Sequence, residues 1–109
     1  MEQSNEVVVC EDSEVKVGAE VRDGLLFCHC YIKTEPSMYL MKKLKTWWAI
    51  IKEEAYISGF DYIHTYTPNI KFCKVLDDSF DHLDTIEVNG EKLEVLRWEL
   101  IRSPSLSLP

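Results

Sequence analysis

The chain has 109 residues, of which 46% are hydrophobic and 28% charged, and its formal net charge is −7. This size and composition predict one soluble globular domain, and no apolar run reaches the roughly 18 residues that a membrane span requires. The acidic balance argues against a general nucleic-acid binder, because neutralising phosphates requires a basic surface. Since residues 1–6 lack the basic and apolar regions of a signal peptide, we expect a cytoplasmic protein.

The first third of the chain predicts three strands. Glu6–Cys10 is a short strand candidate, and residues 15–22 alternate apolar with polar side chains, which is typical of a strand with one solvated face. Asp23-Gly24 is a strong signal for a two-residue hairpin turn. The return strand, Leu25–Ile32, is apolar on both faces, so we expect it to be central and covered on both sides.

A long amphipathic helix is predicted next. Its apolar residues recur at the spacing of one helical stripe: Leu40, Met41, Leu44, Trp47, Trp48, Ile51 and Ala55. Pro36 suits a first helical position, with Thr34 or Ser37 as the cap. Gly59 can adopt the left-handed conformation that ends such a helix.

The remaining segments complete an α+β fold. We predict a strand over residues 61–67, a helix over residues 70–76 and an acidic loop over residues 77–84. Residues 85–88 and 91–100 form a hairpin around Asn89-Gly90. The order β-β-β-α-β-α-β-β gives a mostly antiparallel sheet with one right-handed crossover through the long helix. We expect a single domain over residues 1–101 and a flexible tail over residues 102–109.

The long helix is the only positively charged segment. Residues 37–59 carry four bases and two acids, whereas residues 1–36 and 60–109 carry net charges of −5 and −4. Lys42, Lys43 and Lys45 lie in its first half. They are either the solvated face opposite the apolar stripe or an anion site near the helix N-terminus.

The four cysteines, Cys10, Cys28, Cys30 and Cys73, do not form a metal-binding pattern. On a strand, Cys28 and Cys30 point to one side and His29 to the other, whereas zinc needs converging ligands. We therefore predict buried free thiols and no metal site.

The element order resembles the core of the GNAT family of N-acetyltransferases over residues 14–100. The closest local match is residues 59–69, where a helix ends at Gly59, a strand follows and Asn69 stands in the loop before a short helix. Phe80 matches an aromatic near the next strand. Small members of this kind occur in bacteriophages, and the small size and acidity of the chain are compatible with that origin.

The resemblance implies acetyl-coenzyme A as cofactor, with Lys42, Lys43, Lys45 and Asn69 as the residues that bind it. Active members carry a glycine-containing loop at the start of the long helix, whose backbone N–H groups hold the pyrophosphate. The matching residues 36–45 contain no glycine, and Glu35 would repel phosphates. Many active members place a tyrosine on the short helix as the acid for the departing thiolate, and Cys73 stands there instead.

Catalysis in such a site would use His64 as general base and Cys73 as acid. His64 and His29 are the side chains of the predicted site with a pKa suited to a base near neutral pH. The alternative for both histidines is a packing role, and the alternative for Asn69 is turn formation after Pro68.

Two functions follow. One is a non-catalytic protein with an acetyltransferase-like scaffold that binds another protein, either as a virion component or as an inhibitor of a host or defence protein. Its acidity favours a basic partner, with Asp77, Asp78, Asp81 and Asp84 as the binding patch. The alternative is an active enzyme that transfers acetyl from acetyl-coenzyme A to an amine. The site of action would be the cytoplasm, a host cell's cytoplasm or a virion.

Overall fold

A computed structural model describes residues 6–100, which form six strands and two helices in the predicted order. The strands are β1 (Val7–Glu11), β2 (Val15–Arg22), β3 (Leu25–Ile32), β4 (Tyr62–Thr67), β5 (Asp81–Val88) and β6 (Glu91–Glu99). The helices are α1 (Met38–Ile57) and α2 (Ile70–Leu76). The predicted α+β class is confirmed, while the predicted tail, residues 102–109, lies outside the described residues.

The six strands form one sheet in the order β1-β2-β3-β4-β6-β5. All neighbours are antiparallel except β3 and β4, which run parallel because the chain crosses between them through α1. This parallel contact consists of only two residue pairs, Leu26 with Ile63 and Phe27 with His64. Beyond these pairs the two strands separate, so the centre of the sheet contains a gap.

Both hairpin turns have the conformation that their sequences predict. Asp23 and Gly24 have φ values of 53° and 79°, and Asn89 and Gly90 have values of 53° and 82°. Positive φ at both central residues defines the type I′ turn, whose twist matches that of the flanking strands. These turns set the registers of β2 with β3 and of β5 with β6.

Helix α1 begins at Met38, two residues later than a first helical position at Pro36 would place it. Ser37 is the N-cap and its Oγ accepts a hydrogen bond from the Leu40 N–H at 3.1 Å. Pro36 therefore precedes the cap and does not occupy the first helical position, since the hydroxyl of Ser37 satisfies one of the free N–H groups of the first turn. The helix ends at Ile57, and Gly59 just after the C-cap Ser58 has the predicted left-handed conformation, with a φ of 98°.

The core lies between the helices and one face of the sheet. Helix α1 buries the predicted stripe at Leu40, Leu44, Trp48, Ile51 and Ala55. The fully buried side chains facing it from the strands are Val15, Ile63 and Leu96. Burial of these side chains supplies most of the hydrophobic stabilisation of the fold.

Two expectations about the strands are wrong. Strand β3 is central, but the helices cover only one of its faces, where Leu26 and Cys28 lie in the core. On the other face Leu25 and Tyr31 are exposed, while Phe27 and His29 between them are half-buried. Strand β5 begins at Asp81, inside the segment predicted as an acidic loop. All eight of its residues are exposed, so it has no buried face to produce an apolar alternation, and it is held by pairing with β6.

Asp77 connects both helices to the sheet. Its Oδ2 accepts hydrogen bonds from the indole Nε1 of Trp48 at 2.8 Å and from Lys52 Nζ at 2.6 Å. Its backbone carbonyl accepts one from the Nε1 of Trp98 at 2.9 Å, and the two indole rings pack edge to face with centroids 4.8 Å apart. Although burial opposes ionisation, the hydrogen bonds from Lys52, Ser79 and Trp48 hold the pKa of this carboxyl at about 2.

We predict that Asp77→Ala destabilises the protein by about 1.5–3 kcal/mol, because it leaves the half-buried Lys52 and the Trp48 N–H without their acceptor. Chemical denaturation monitored by tryptophan fluorescence measures the change. Asp78→Ala, on an exposed side chain one position away, is the matched control and should shift stability by less than about 0.5 kcal/mol. Equal effects of the two substitutions would contradict a structural role for the Asp77 carboxylate.

Candidate functional site

The gap between β3 and β4 forms a cavity of about 340 Å³. It is lined from the strands by Cys28, His29, Cys30, Thr65 and Tyr66, and from the helices by aromatic and aliphatic side chains that include Trp47, Trp48 and Phe72. Because successive strand residues point to opposite faces, this lining draws on both faces of the sheet. We call this cavity the β3/β4 cleft.

The rings of His29 and Tyr66 meet across the cleft. In the register set by Phe27 and His64, these two residues would form the next pair on the same face of the sheet. Their backbones are no longer paired, but their ring centroids are 4.6 Å apart. The two rings thus close the cleft on the face of the sheet away from the helices.

Three thiols give the cleft a neutral wall. Burial raises the pKa of Cys28 to about 12 and the pKa values of Cys30 and Cys73 to about 11. All three are free and protonated at neutral pH, which makes them weak nucleophiles and poor metal ligands. Within residues 6–100, no group of three or more His, Cys, Asp or Glu side chains is placed to hold a metal ion.

Two histidines lie on the face of the sheet away from the helices, in a cluster of aromatic rings. His64 is 6% exposed and its ring centroid is 5.4 Å from that of Phe27. The Nδ1 of His64 and the Nε2 of His29 are buried and have no hydrogen-bond partner among the described residues. A carboxylate oxygen, Oε1 of Glu20, lies 3.8 Å from that Nε2.

Burial lowers the pKa of both histidines. For His29, the carboxylates of Glu6 and Glu20 oppose this shift and Arg22 adds to it. For His64, Arg97 adds to the shift and a hydrogen bond with the Leu26 backbone opposes it. Both rings are therefore neutral at pH 7, the state that a general base requires.

The structure does not bring the predicted catalytic residues together. Cys73 lies on α2 and lines the β3/β4 cleft, on the side of the sheet that the helices cover. His64 points to the opposite face and is not part of the cleft lining. Of the two histidines considered as a base, His29 is the one that lines the cleft.

The predicted cofactor lysines are also separated. Lys43 Nζ lies 2.5 Å from both Asp12 Oδ2 and Glu14 Oε1, and these carboxylates raise its pKa. Lys42 is exposed on α1. Lys45 lines a different depression, between α1 and α2, together with side chains that include Lys52 and Lys74.

Asn69 forms part of the turn before α2, which was the alternative to a role in cofactor binding. It is the N-cap of α2, and its side-chain oxygen accepts a hydrogen bond from the Phe72 N–H at 3.3 Å. Its own N–H donates to Thr67 Oγ1 at 3.0 Å. These contacts account for an asparagine at this position through helix capping.

The four predicted partner-binding aspartates do not share one surface. Asp77 is bonded to α1 on the helix side of the sheet, and Asp78 next to it is exposed. Asp81 pairs with Arg97 in the register of β5 and β6, and its Oδ2 lies 3.5 Å from the Nε of Arg97 on the other face of the sheet. Asp84 lies further along the exposed strand β5. An acidic segment persists on β5, but it is a strand edge and not a loop.

Sequence reasoning missed the bonds of Asp77 and the thiol lining of the cleft. Trp48 is 29 residues from Asp77 in the chain and Trp98 is 21 residues from it, so no local pattern joins them. The alternation of Cys28 and Cys30 on one face of a strand was the one available signal for a shared thiol wall.

Comparison with solved structures places the chain in the GNAT fold. It matches an aminoglycoside 6′-acetyltransferase type Ii with a TM-score of 0.67 and 13% identity, covering 91% of this chain and 70% of that one. It matches an N-acetyltransferase from Staphylococcus aureus with a TM-score of 0.62 and 15% identity, covering 82% and 62%. For a GNAT-family protein from Bordetella pertussis the TM-score is 0.58 and the identity 11%, covering 78% and 57%.

These likenesses establish the fold, and the predicted GNAT-like architecture is confirmed. The chain spans 57–70% of the length of these three structures. No protein-family model matches the sequence. No curated protein matches it significantly either. Neither helix within residues 6–100 combines the length and apolarity that a membrane crossing demands.

Acetyl-coenzyme A, the cofactor of such acetyltransferases, fits one part of this site and not the other. The β3/β4 cleft offers a neutral wall and unpaired strand edges, which suit an uncharged arm that carries amides. The start of α1 does not suit a pyrophosphate. Its Ser37 hydroxyl already caps the helix, Glu35 precedes it, and Lys43 is paired with Asp12 and Glu14.

We predict that the protein loses stability as the pH falls from about 7 to about 5. The unfolded chain has histidines of ordinary pKa, about 6.5, and binds protons more readily than the folded chain, in which the pKa values of His29 and His64 are lowered. The contribution of the two neutral histidines to the free energy of unfolding is therefore fully present above the histidine pKa of the unfolded chain, and it is lost as the pH falls below that value. Denaturation midpoints across this range measure the effect.

The double variant His29→Gln/His64→Gln is the matched comparison, because it removes both buried imidazoles and keeps His82 on the exposed strand β5. Its stability should depend less on pH over the same interval. A wild-type midpoint that stays constant from about pH 7 to about pH 5 would show that neither histidine is buried in its neutral form.

Proposed function

We propose that this GNAT-fold protein acts by binding another protein and does not transfer acetyl groups. The observation that carries the proposal is the charge arrangement at the N-terminus of α1, where Lys43 is neutralised by Asp12 and Glu14. In a GNAT acetyltransferase this is the place where the cofactor's pyrophosphate would bind. Here a diphosphate would meet carboxylates and a capped helix end.

The proposed partner is a basic protein. The chain carries a net charge of −7, and such a charge accelerates association with a positively charged surface. Asp78 and strand β5 form an exposed acidic segment, in which β5 carries carboxylates at Asp81, Asp84 and Glu87. A role as a virion component or as an inhibitor of a host or defence protein is in keeping with such binding.

Acetyl transfer is the second candidate, and the β3/β4 cleft favours it. His29 lines the cleft with a lowered pKa, so it is neutral and able to accept a proton from an amine. Cys73 lines the same cleft and stays protonated, so it is able to donate one. In this alternative Lys42 and Lys45 would be left to contact phosphate, and Asn69 would have to leave its capping role.

Because carboxylates surround the start of α1, acetyl-coenzyme A should not raise the melting temperature of the purified protein at concentrations up to about 1 mM. A Kd above about 1 mM corresponds to a binding free energy weaker than about −4 kcal/mol. A thermal-shift titration measures this. A saturable rise, accompanied by acetylation of an amine that His29→Gln abolishes, would refute the non-catalytic proposal and establish the enzyme. The variant Glu35→Gln/Glu14→Gln should bind the cofactor more tightly than the wild type if charge is what excludes it.

Neutralising the exposed acidic segment should weaken binding of the partner. We expect Asp78→Asn/Asp84→Asn to lose most of the partner that immobilised wild-type protein captures from a lysate of the source organism, and the remaining capture to depend less on salt. Glu53→Gln/Glu54→Gln removes the same charge from exposed positions on α1 and should capture as the wild type does. Equal losses in the two variants would show that net charge, and not this segment, governs capture.

A further inference from the structure

The two strands that border the β3/β4 cleft each have one paired edge and one free edge. Strand β3 pairs with β2 along all eight residues, but with β4 only at Leu26 and Phe27. Strand β4 pairs with β6 through Thr67, but with β3 only at Ile63 and His64. Residues 28–32 and 65–67 thus present backbone groups to the cleft, and no described strand occupies the space between them.

Free strand edges of this kind are templates for a further strand. Backbone N–H and C=O groups need partners when they are shielded from water, and Cys28 and Thr65 on these edges are buried. An occupant that satisfies them must carry alternating donors and acceptors along an extended chain. A peptide segment has this property, and its addition to a sheet edge is a common mode of recognition.

The charge of the cleft selects among extended chains that carry amides. Of the described residues that line it, Glu91 is the one with a formal charge at neutral pH, because the three thiols are protonated and His29 is neutral. No lysine or arginine is among them. A neutral or cationic occupant is therefore favoured and an anionic one is disfavoured.

We propose that the β3/β4 cleft receives an extended segment of the partner protein as an inserted strand. The proposal rests on the protein-binding function proposed above and gives that function a site. The free edge of β3 covers residues 28–32, about 16 Å of strand, which corresponds to a segment of about five residues. The cavity of about 340 Å³ is small for a ligand site, so the segment carries small apolar side chains towards the helices and a basic residue near Glu91.

Selection from a library of random seven-residue peptides tests the site without knowledge of the partner. We expect wild-type protein to enrich peptides with alternating small apolar residues and a positive net charge. Once such a peptide is synthesised and bound, hydrogen exchange should slow at the amides of residues 28–32 and 65–67. Failure to enrich any peptide, or protection only at other strands, would overturn the proposal.

A cleft-filling variant locates the binding. Cys30→Phe enlarges a half-buried side chain of the cleft lining and should weaken peptide binding at least tenfold. Val75→Ser changes an exposed apolar residue of α2 outside the cleft and should bind as the wild type does. Should Cys30→Phe fail to fold, Cys73→Met reduces the same cleft with a smaller and more flexible side chain. Unchanged affinity in a folded cleft variant would overturn the proposal.

Different outcomes of these experiments would refute the inserted strand and the protein-binding function. If wild-type protein captures its partner and Cys30→Phe captures it equally well, the inserted strand is refuted while protein binding stands. If peptides bind in the cleft but no partner is captured by the whole protein, the cleft assignment is supported and the protein-binding function falls. Displacement of the bound peptide by acetyl-coenzyme A would show that the cleft accepts an anionic ligand, which contradicts the charge selection inferred here.

Discussion

The parallel contact between β3 and β4 is the constraint on which the rest of this structure depends. Because α1 carries the chain from one strand to the other, they must run in the same direction, yet they pair only at Leu26 with Ile63 and at Phe27 with His64. The sheet is therefore continuous at one end and split at the other. The rings of His29 and Tyr66 remain in contact across the split, so the strands separate without exposing the core on that face.

Asp77 joins the two helices to the sheet beside this split. Trp48 of α1 and Trp98 of β6 pack against each other and bond to Asp77 at the end of α2, which fixes both helices over the widening gap. Side chains do not fill the space beneath them, and a cavity of about 340 Å³ remains. A cleft of this volume lies within the range of ligand-binding clefts in proteins.

Local chemistry made much of the fold predictable from sequence. Asp23-Gly24 and Asn89-Gly90 require positive φ, and Ser37 offers a hydroxyl to a free N–H, so these signals act within a few residues. Strand β5 gave no such signal, because an exposed edge strand has no buried face. The cleft depends on the register between β3 and β4 and on contacts of Asp77 across 21 and 29 residues, which no pattern in the sequence encodes.

The candidate site agrees with the GNAT resemblance at the β3/β4 cleft and differs from it at the start of α1. The cleft retains free strand edges and neutral walls, which interact with an extended amide chain whatever its source. At the start of α1, the positive charge of Lys43 is neutralised by Asp12 and Glu14, which disfavours a phosphate there. A fold can keep a binding surface while its ligand changes. In the function proposed here, electrostatics at one helix end favours a peptide over the cofactor in this cleft.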